Sequence, residues 1–338
     1  SFSIFFGLFF FFTLVLYRDF LYTYRMQLEN FLPYYNYQNQ ILYYLSGDKK
    51  FDIEAPMNLR FLGLIVQFLI FKILPCVKLT NIKADLDENF ICATFSNALM
   101  NYLSLTAFLS LIFVYCYKKL RLNLAISFIS ILLSLIFFNY LEAFTLDRIS
   151  VFYLLIVMFF LDNRLVAVSL IFFSCLVNEK ILIVLGIYFF INAIIFSNKY
   201  FLAYFLTSII STLILILIFF IYAYILDYGY FGKDNPGSIY NTAFSEGLNR
   251  IKNILLSPKG ISNSLLPIIF TMSPYIYIFL KKNDKKRSIE IIIPISLIFL
   301  GIGGGTSNVG RYVMYSIPIW LPLMATIIYE ILNKLRKN

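Results

Sequence analysis

Long apolar runs, separated by short polar segments, recur along almost the whole chain. A helix that crosses the hydrocarbon core of a bilayer needs about 20 mainly apolar residues, and most of the runs approach or exceed that length. The pattern therefore predicts an all-α, polytopic integral membrane helix bundle with about 10–11 membrane helices, folded as a single membrane domain over residues 1–338. The runs lie at 1–17, 60–77, 97–117, 123–139, 149–161, 165–177, 181–196, 200–226, 264–280, 288–302 and 312–332.

Three of these runs do not have the pattern of a simple membrane-crossing helix. The neighbouring runs 149–161 and 165–177 are short and joined by three polar residues, so we expect a short helical hairpin inside the bundle. The run 60–77 is interrupted by Gln67 and Lys72, which an interfacial or re-entrant segment tolerates better than a crossing helix. If this run crossed the membrane, the following helix would enter from the wrong side. The alternatives that remove this conflict are that the chain starts on the outer side or that one apolar run is miscounted.

Composition supports the membrane class and narrows the chemistry. Only 14% of the residues are charged and 60% are hydrophobic, whereas about a quarter of a soluble domain is charged. The chain has no histidine, which argues against haem enzymes, histidine-ligated zinc enzymes and histidine-based acyl transfer. We expect no cofactor and no requirement for a metal ion.

The four cysteines do not form a metal-binding pattern. Cys76, Cys92, Cys116 and Cys175 include no CxxC pair, so neither a zinc knuckle nor an iron–sulfur cluster is indicated. We expect all four to pack as apolar side chains, and a disulfide between Cys76 and Cys92 is the alternative.

The distribution of basic residues predicts the orientation. The chain has 28 Lys and Arg against 18 Asp and Glu. In a membrane protein this excess marks cytoplasmic segments, so we expect no nucleic-acid partner and place the clusters 118–121, 281–287 and 334–337 in the cytoplasm. The long loops 18–58, with interfacial helices, and 227–263 then lie outside. We expect an integral protein of the bacterial inner membrane whose site faces outside.

Charged residues at membrane depth or at helix ends are costly, so those that persist there are candidates for function. Asp147 and Arg148 open the predicted hairpin, and Glu179 and Lys180 follow it. Because a hairpin returns the chain to its starting level, these two carboxylates and two cations are predicted to surround one outward-facing pocket. The alternative is that they are ordinary helix-end charges in the lipid headgroup layer.

Two further arginines join this set. Arg311 follows a glycine-rich stretch, where the backbone can be irregular, and Arg60 follows the first long outer loop. A guanidinium group held at such a position suits a phosphate or pyrophosphate. For Arg311 the alternative is a simple headgroup anchor.

A series of short motifs follows the predicted helices in a fixed order. The motifs are Pro56, Arg60 and Leu62 after the first outer loop, then Tyr117-Lys118-Lys119, Thr145-Leu146-Asp147, Asn178-Glu179, and Arg311 with Pro318 near the last helix. In order and spacing, over most of the chain, this series resembles the GT-C glycosyltransferases. These are multi-spanning membrane enzymes that use lipid-linked sugar donors on the outer side of the membrane.

The resemblance implies transfer of a sugar from a polyprenyl-phosphate donor to an extracytoplasmic acceptor. A carboxylate would activate the acceptor, and cations would bind the phosphate leaving group. The candidates for the catalytic carboxylate are Asp19, at the outer end of the first helix, Asp147 and Glu179. The candidates for substrate binding are Arg60, Arg148, Lys180 and Arg311.

The sequence departs from the family pattern in the first outer loop, where Asn36 stands near the expected position of the acid. This departure leaves open a catalytically silent membrane subunit of a larger complex. A transporter of lipid-linked sugars is a third hypothesis, which a chain of charges through the bilayer would favour. The expected partners are membrane lipids, a polyprenyl-phosphate sugar, and a protein acceptor or neighbouring subunits.

Overall fold

The computed structural model describes about two thirds of the chain. The described residues are 15–22, 24–25, 61–76, 88–138, 141, 147–226, 249, 252, 256–282, 284–303 and 309–336. Most of the predicted outer loops 18–58 and 227–263 lies outside the described residues, as does Arg60.

Helices account for nearly all of this part of the chain, and it contains no strand. The first six helices are α1 (residues 15–22 and 24–25), α2 (Phe61–Ile73), α3 (Glu88–Val114), α4 (Leu124–Phe138), α5 (Asp147–Phe159) and α6 (Arg164–Phe173). The next six are α7 (Glu179–Phe196), α8 (Lys199–Leu226), α9 (Leu266–Tyr277), α10 (Ile292–Gly303), α11 (Val309–Val313) and α12 (Ile317–Leu335). Shorter helical pieces are Tyr115–Lys119, Ser174–Leu176, Pro258–Gly260, Ile261–Leu265, Ile278–Lys282, Lys285–Ser288, Ile289–Ile291 and Met314–Ser316.

Length and composition of these helices confirm an all-α membrane protein. Five stretches of the described chain are long and apolar enough to cross a membrane, namely Ile91–Lys119, Glu179–Phe196, Lys199–Ile218, Ile261–Lys281 and Val309–Leu335. Shorter apolar helices lie at Leu62–Ile73, Leu124–Phe138, Arg164–Leu176 and Ile289–Ile302. Each predicted run from 60–77 onward coincides with one of the helices.

Two ends of the bundle can be distinguished by their charged residues. Lys119, which follows α3, donates a hydrogen bond to the carbonyl oxygen of Phe159 and forms an ion pair of 3.0 Å with Asp162. The last turns of α3 and α5 therefore meet, and the two helices run in the same direction. We call this the Lys119 end, and the opposite end, where α5 begins, the Asp147 end.

A disulfide joins Cys76, just after α2, to Cys92 in the first turns of α3. The expectation that all four cysteines simply pack is wrong for this pair, because the two helix ends bring Cα atoms to 5.2 Å, within the range that a disulfide spans. It is right for Cys116 and Cys175, which are free and buried. The bond fixes the last turn of α2 at the Asp147 end.

Helix α2 starts at the first residue that the structure describes after Arg60. Its 13 described residues extend about 20 Å, against a hydrocarbon core of about 30 Å. Gln67 is buried against α3, where its side-chain amide donates to the carbonyl oxygen of Ala93 at 3.4 Å. The re-entrant interpretation of the run 60–77 remains a prediction.

The core of the bundle is built from large apolar side chains, with Trp320 of α12 packed edge-to-face on Phe137 of α4 at 4.9 Å between ring centroids. Close backbone packing fixes the start of α11. A β-carbon at Gly310 would lie 2.0 Å from the carbonyl oxygen of Asn263, so only glycine fits there. This contact determines where the next residue, Arg311, stands.

Candidate functional site

Asp147, the first residue of α5, lies fully buried at the centre of a polar cluster. The Nε atom of Arg311 donates to one carboxylate oxygen, and the hydroxyl of Tyr315 donates to the other. A buried carboxylate is stable only when it is paired and hydrogen-bonded. Arg311 and Tyr315 are one helical turn apart and so present both donors on one face.

Asn178 ties a third helix to this cluster. Its side-chain oxygen caps α7 by accepting from the backbone N–H of Lys180 at 3.0 Å. Its side-chain amide donates to the hydroxyls of Ser150 and Tyr315, each at 3.1 Å. The Tyr315 hydroxyl therefore accepts from Asn178 while it donates to Asp147.

Lys180 is buried beside the same cluster, on the first turn of α7. Its Nζ atom lies 4.5 Å from the ring centroid of Tyr312 and 5.1 Å from that of Tyr315. Cation–π contacts of this kind hold a lysine ammonium in a place that is shielded from water. We call Asp147, Ser150, Asn178, Lys180, Arg311, Tyr312 and Tyr315 the Asp147 site.

Arg148 faces away from the Asp147 site, because successive residues of a helix point about 100° apart. Its two terminal nitrogens bind the two carboxylate oxygens of Asp19 on α1, at 2.6 and 3.2 Å. The predicted single pocket is therefore divided into two ion pairs on different faces of α5. Asp19 forms an ion pair with Arg148, and Asp147 forms one with Arg311.

The structure brings together most of the predicted charged residues at one end of the bundle. Asp147, Lys180 and Arg311 meet in the Asp147 site, and Asp19 and Arg148 form the neighbouring pair. Glu179 is the first residue of α7 and is half-buried.

Four polar members of the site were not predicted as site residues. They are Ser150, Asn178, Tyr312 and Tyr315. The sequence does indicate two of them through helical spacing. Ser150 follows Asp147 by three positions and Tyr315 follows Arg311 by four, so each lies on the same helix face as a charged candidate. The motif Asn178-Glu179 was recognised, but the capping role of its asparagine was not.

The geometry distinguishes the candidate carboxylates. The side chain of Asp147 is 0% exposed and both of its oxygens accept hydrogen bonds, whereas the side chain of Asp19 is 21% exposed. A general base must reach the proton that it removes. Asp147 therefore holds Arg311 and Tyr315, and Asp19 and Glu179 are the more accessible carboxylates.

The start of α7 adds a partial positive charge to the site. Helix α7 begins there, with Asn178 as its N-cap and Lys180 in its first turn, and helix N-termini carry partial positive charge from their backbone N–H groups. The buried Lys180 and the 15%-exposed Arg311 stand beside this N-terminus.

Within the described ranges no cluster of three or more His, Cys, Asp or Glu could hold a metal ion. The chain also contains the pair Asp85-Leu86-Asp87, of a type that can bind a divalent cation, between α2 and α3 and outside the described residues. The expectation that no metal is needed remains a prediction.

Comparison of the chain with known protein families, curated proteins and solved structures gives no match. The fold and the site together define an α-helical membrane protein with a buried polar cluster at one end of the described bundle.

Proposed function

We propose that the chain is a membrane glycosyltransferase that transfers a sugar from a polyprenyl-phosphate donor to an extracytoplasmic acceptor. The observation that carries this proposal is the proximity of two cations, the buried Lys180 and the 15%-exposed Arg311, to the N-terminus of α7 at one end of an apolar bundle. A lipid phosphate presents its charge at this depth while its chain stays in the membrane.

The two cations have the charge that is needed to stabilise the leaving group. When the bond between sugar and phosphate breaks, negative charge develops on the phosphate. Donors that are fixed before the reaction stabilise this charge without reorganisation. Lys180 is held by two aromatic rings and Arg311 by Asp147, so both groups are positioned in advance.

A carboxylate is needed to accept the proton of the incoming acceptor. We assign this role to Asp19 or Glu179, because each side chain is partly exposed at the Asp147 end. Asp147 keeps Arg311 and Tyr315 in place. Arg60 remains a proposed phosphate ligand from outside the described residues.

Two features support an orientation with the Asp147 end outside. The basic residues Lys118, Lys119 and Arg121 stand at the opposite end, which the positive-inside rule assigns to the cytoplasm. The Cys76–Cys92 disulfide lies at the Asp147 end, and disulfides persist in oxidising compartments such as the bacterial periplasm. The proposed location is the bacterial inner membrane.

The test uses membranes that contain the chain and its natural acceptor, supplied with a panel of radiolabelled polyprenyl-phosphate sugars. We expect the wild type to consume one donor, and Glu179→Gln and Arg311→Lys to reduce consumption strongly. Arg311→Lys keeps the positive charge beside buried Asp147 but removes the guanidinium. Asp162→Asn, at the Lys119 end, is the control and should retain full activity.

A catalytically silent subunit is the second candidate, since Asp147 and Asp19 each already have a countercharge within the described chain. This candidate predicts that wild-type membranes consume none of the donors and that all three variants behave like the wild type. Such a result would contradict the transferase.

A further inference from the structure

A cavity of about 310 Å³ lies between α2, α3 and α5, away from the Asp147 site. Leu62, Val66 and Ile70 line it from one face of α2, with Ala107 of α3 and Phe152 of α5 among the residues opposite. Apart from two hydroxyl groups, the described residues of the lining are apolar. The cavity is therefore suited to a hydrocarbon chain.

Its two hydroxyl groups already have partners. The hydroxyl of Ser104 donates to the carbonyl oxygen of Met100 at 2.8 Å, and that of Tyr153 donates to the carbonyl oxygen of Leu170 at 2.6 Å. Neither group needs a polar ligand. A polar occupant would lose its hydration without gaining hydrogen bonds.

The cavity is elongated along the helices. On α2 its lining extends from Leu62 to Ile70, which is about 12 Å of helix, and on α5 from Ile149 to Ile156, about 10 Å. The two lengths agree, so the space runs parallel to the helix axes. This is the shape of a single chain lying beside the bundle.

Positive charge stands at one end of this space. Arg148 directly precedes Ile149 and lies one turn before Phe152 on α5, at the Asp147 end of the cavity. Lys72 is exposed in the last turn of α2, two residues beyond Ile70, at the same end.

Two cations at this end offer groups that bind an anion. The two terminal nitrogens of Arg148 bind Asp19, but its Nε atom is buried and has no hydrogen-bond partner among the described residues. Lys72 adds a further positive charge, and no carboxylate is among the described residues that line the cavity. An occupant with a negative headgroup above an apolar chain would complement both features.

We propose that this cavity holds one acyl chain of an anionic phospholipid, with its phosphate between Lys72 and Arg148. The site lies on the face of α5 away from the Asp147 site, and it does not rest on the proposed function. A bound lipid here would fill the space between α2 and its neighbours.

The test is native mass spectrometry of the purified, delipidated chain after addition of phosphatidylglycerol or of phosphatidylcholine with the same acyl chains. We expect one phosphatidylglycerol to remain bound to the wild type, and phosphatidylcholine to bind about ten-fold more weakly. Ala107→Phe fills the cavity and should abolish retention. Ala125→Phe, at an exposed position of α4, should leave it unchanged.

If Ala107→Phe does not fold, the variant Lys72→Gln tests the same site. Lys72→Gln changes one exposed side chain and should remove the preference for phosphatidylglycerol while leaving the melting temperature unchanged. Equal retention of both lipids by the wild type would overturn the proposal, as would wild-type retention in a folded Ala107→Phe. Displacement of phosphatidylglycerol by equimolar polyprenyl phosphate would also overturn it, because the site would then belong to a substrate.

Discussion

The two ends of the bundle each carry an aspartate paired with a cation, but in opposite surroundings. At the Asp147 end, the Asp147 side chain is 0% exposed beside Arg311 and Tyr315. At the Lys119 end, the Asp162 side chain is 83% exposed beside Lys119. The same pair of charges is therefore screened by water in one place and enclosed by protein in the other.

This difference determines what each pair contributes. An exposed ion pair is worth about 0–1 kcal/mol, because water screens the attraction and both side chains lose freedom. A buried pair gives little net stability as a whole, but removal of one partner leaves an uncompensated charge. Removing either charge of the Asp147–Arg311 pair alone should therefore lower the free energy of unfolding.

The largest effect is expected for Asp147→Asn. The substitution leaves Arg311 beside a neutral amide and should lower the free energy of unfolding by about 3–5 kcal/mol. Thermal unfolding in a mild detergent measures this as a lower melting temperature. A variant as stable as the wild type would show that the site is hydrated and that the comparison between the two ends is wrong.

The next largest effect concerns the disulfide at the Asp147 end. Replacing Cys76 and Cys92 with serine frees a segment with a sequence separation of 16 residues, which should cost about 3 kcal/mol of stability through the entropy of the unfolded chain. A reducing agent should destabilise the wild type and leave the double variant unaffected. Equal sensitivity of both proteins to the reducing agent would argue against the bond.

The smallest effect is expected for Asp162→Asn. This change mirrors Asp147→Asn chemically, but it removes a charge that is exposed to solvent. The loss in unfolding free energy should stay below about 1 kcal/mol. A loss as large as that of Asp147→Asn would mean that burial does not explain the difference between the ends.

Much of the fold could be predicted because apolar length is a strong signal in membrane proteins. With no water in the bilayer core, a chain must satisfy its backbone groups within helices, so each apolar run from 60–77 onward became a helix. The charged candidates were found for the same reason, since charges persist among apolar residues only where they have a role or a partner.

Side-chain pairing was harder to predict. Asp147 and Arg148 are adjacent in sequence, yet α5 turns them to different partners, Arg311 and Asp19, which stand 164 and 129 residues away. Such contacts depend on how the helices pack, which apolar periodicity alone does not specify. The close approach of Gly310 to Asn263, which places Arg311, is of the same kind.

The central claim is that the Asp147 site binds the phosphate of a lipid-linked sugar, and Lys180→Gln tests it most directly. Lys119→Gln is the matched control, because Lys119 also lies over aromatic rings, at 5.7 Å from Tyr115 and 5.2 Å from Phe159. The measurement is consumption of a polyprenyl-phosphate sugar by each purified variant in the presence of its natural acceptor, together with the melting temperature of the variant. We predict a loss of about ten-fold or more for Lys180→Gln, the expected cost of one charge-assisted hydrogen bond, and wild-type activity for Lys119→Gln. Equal consumption by a folded Lys180→Gln variant and the wild type would contradict the account.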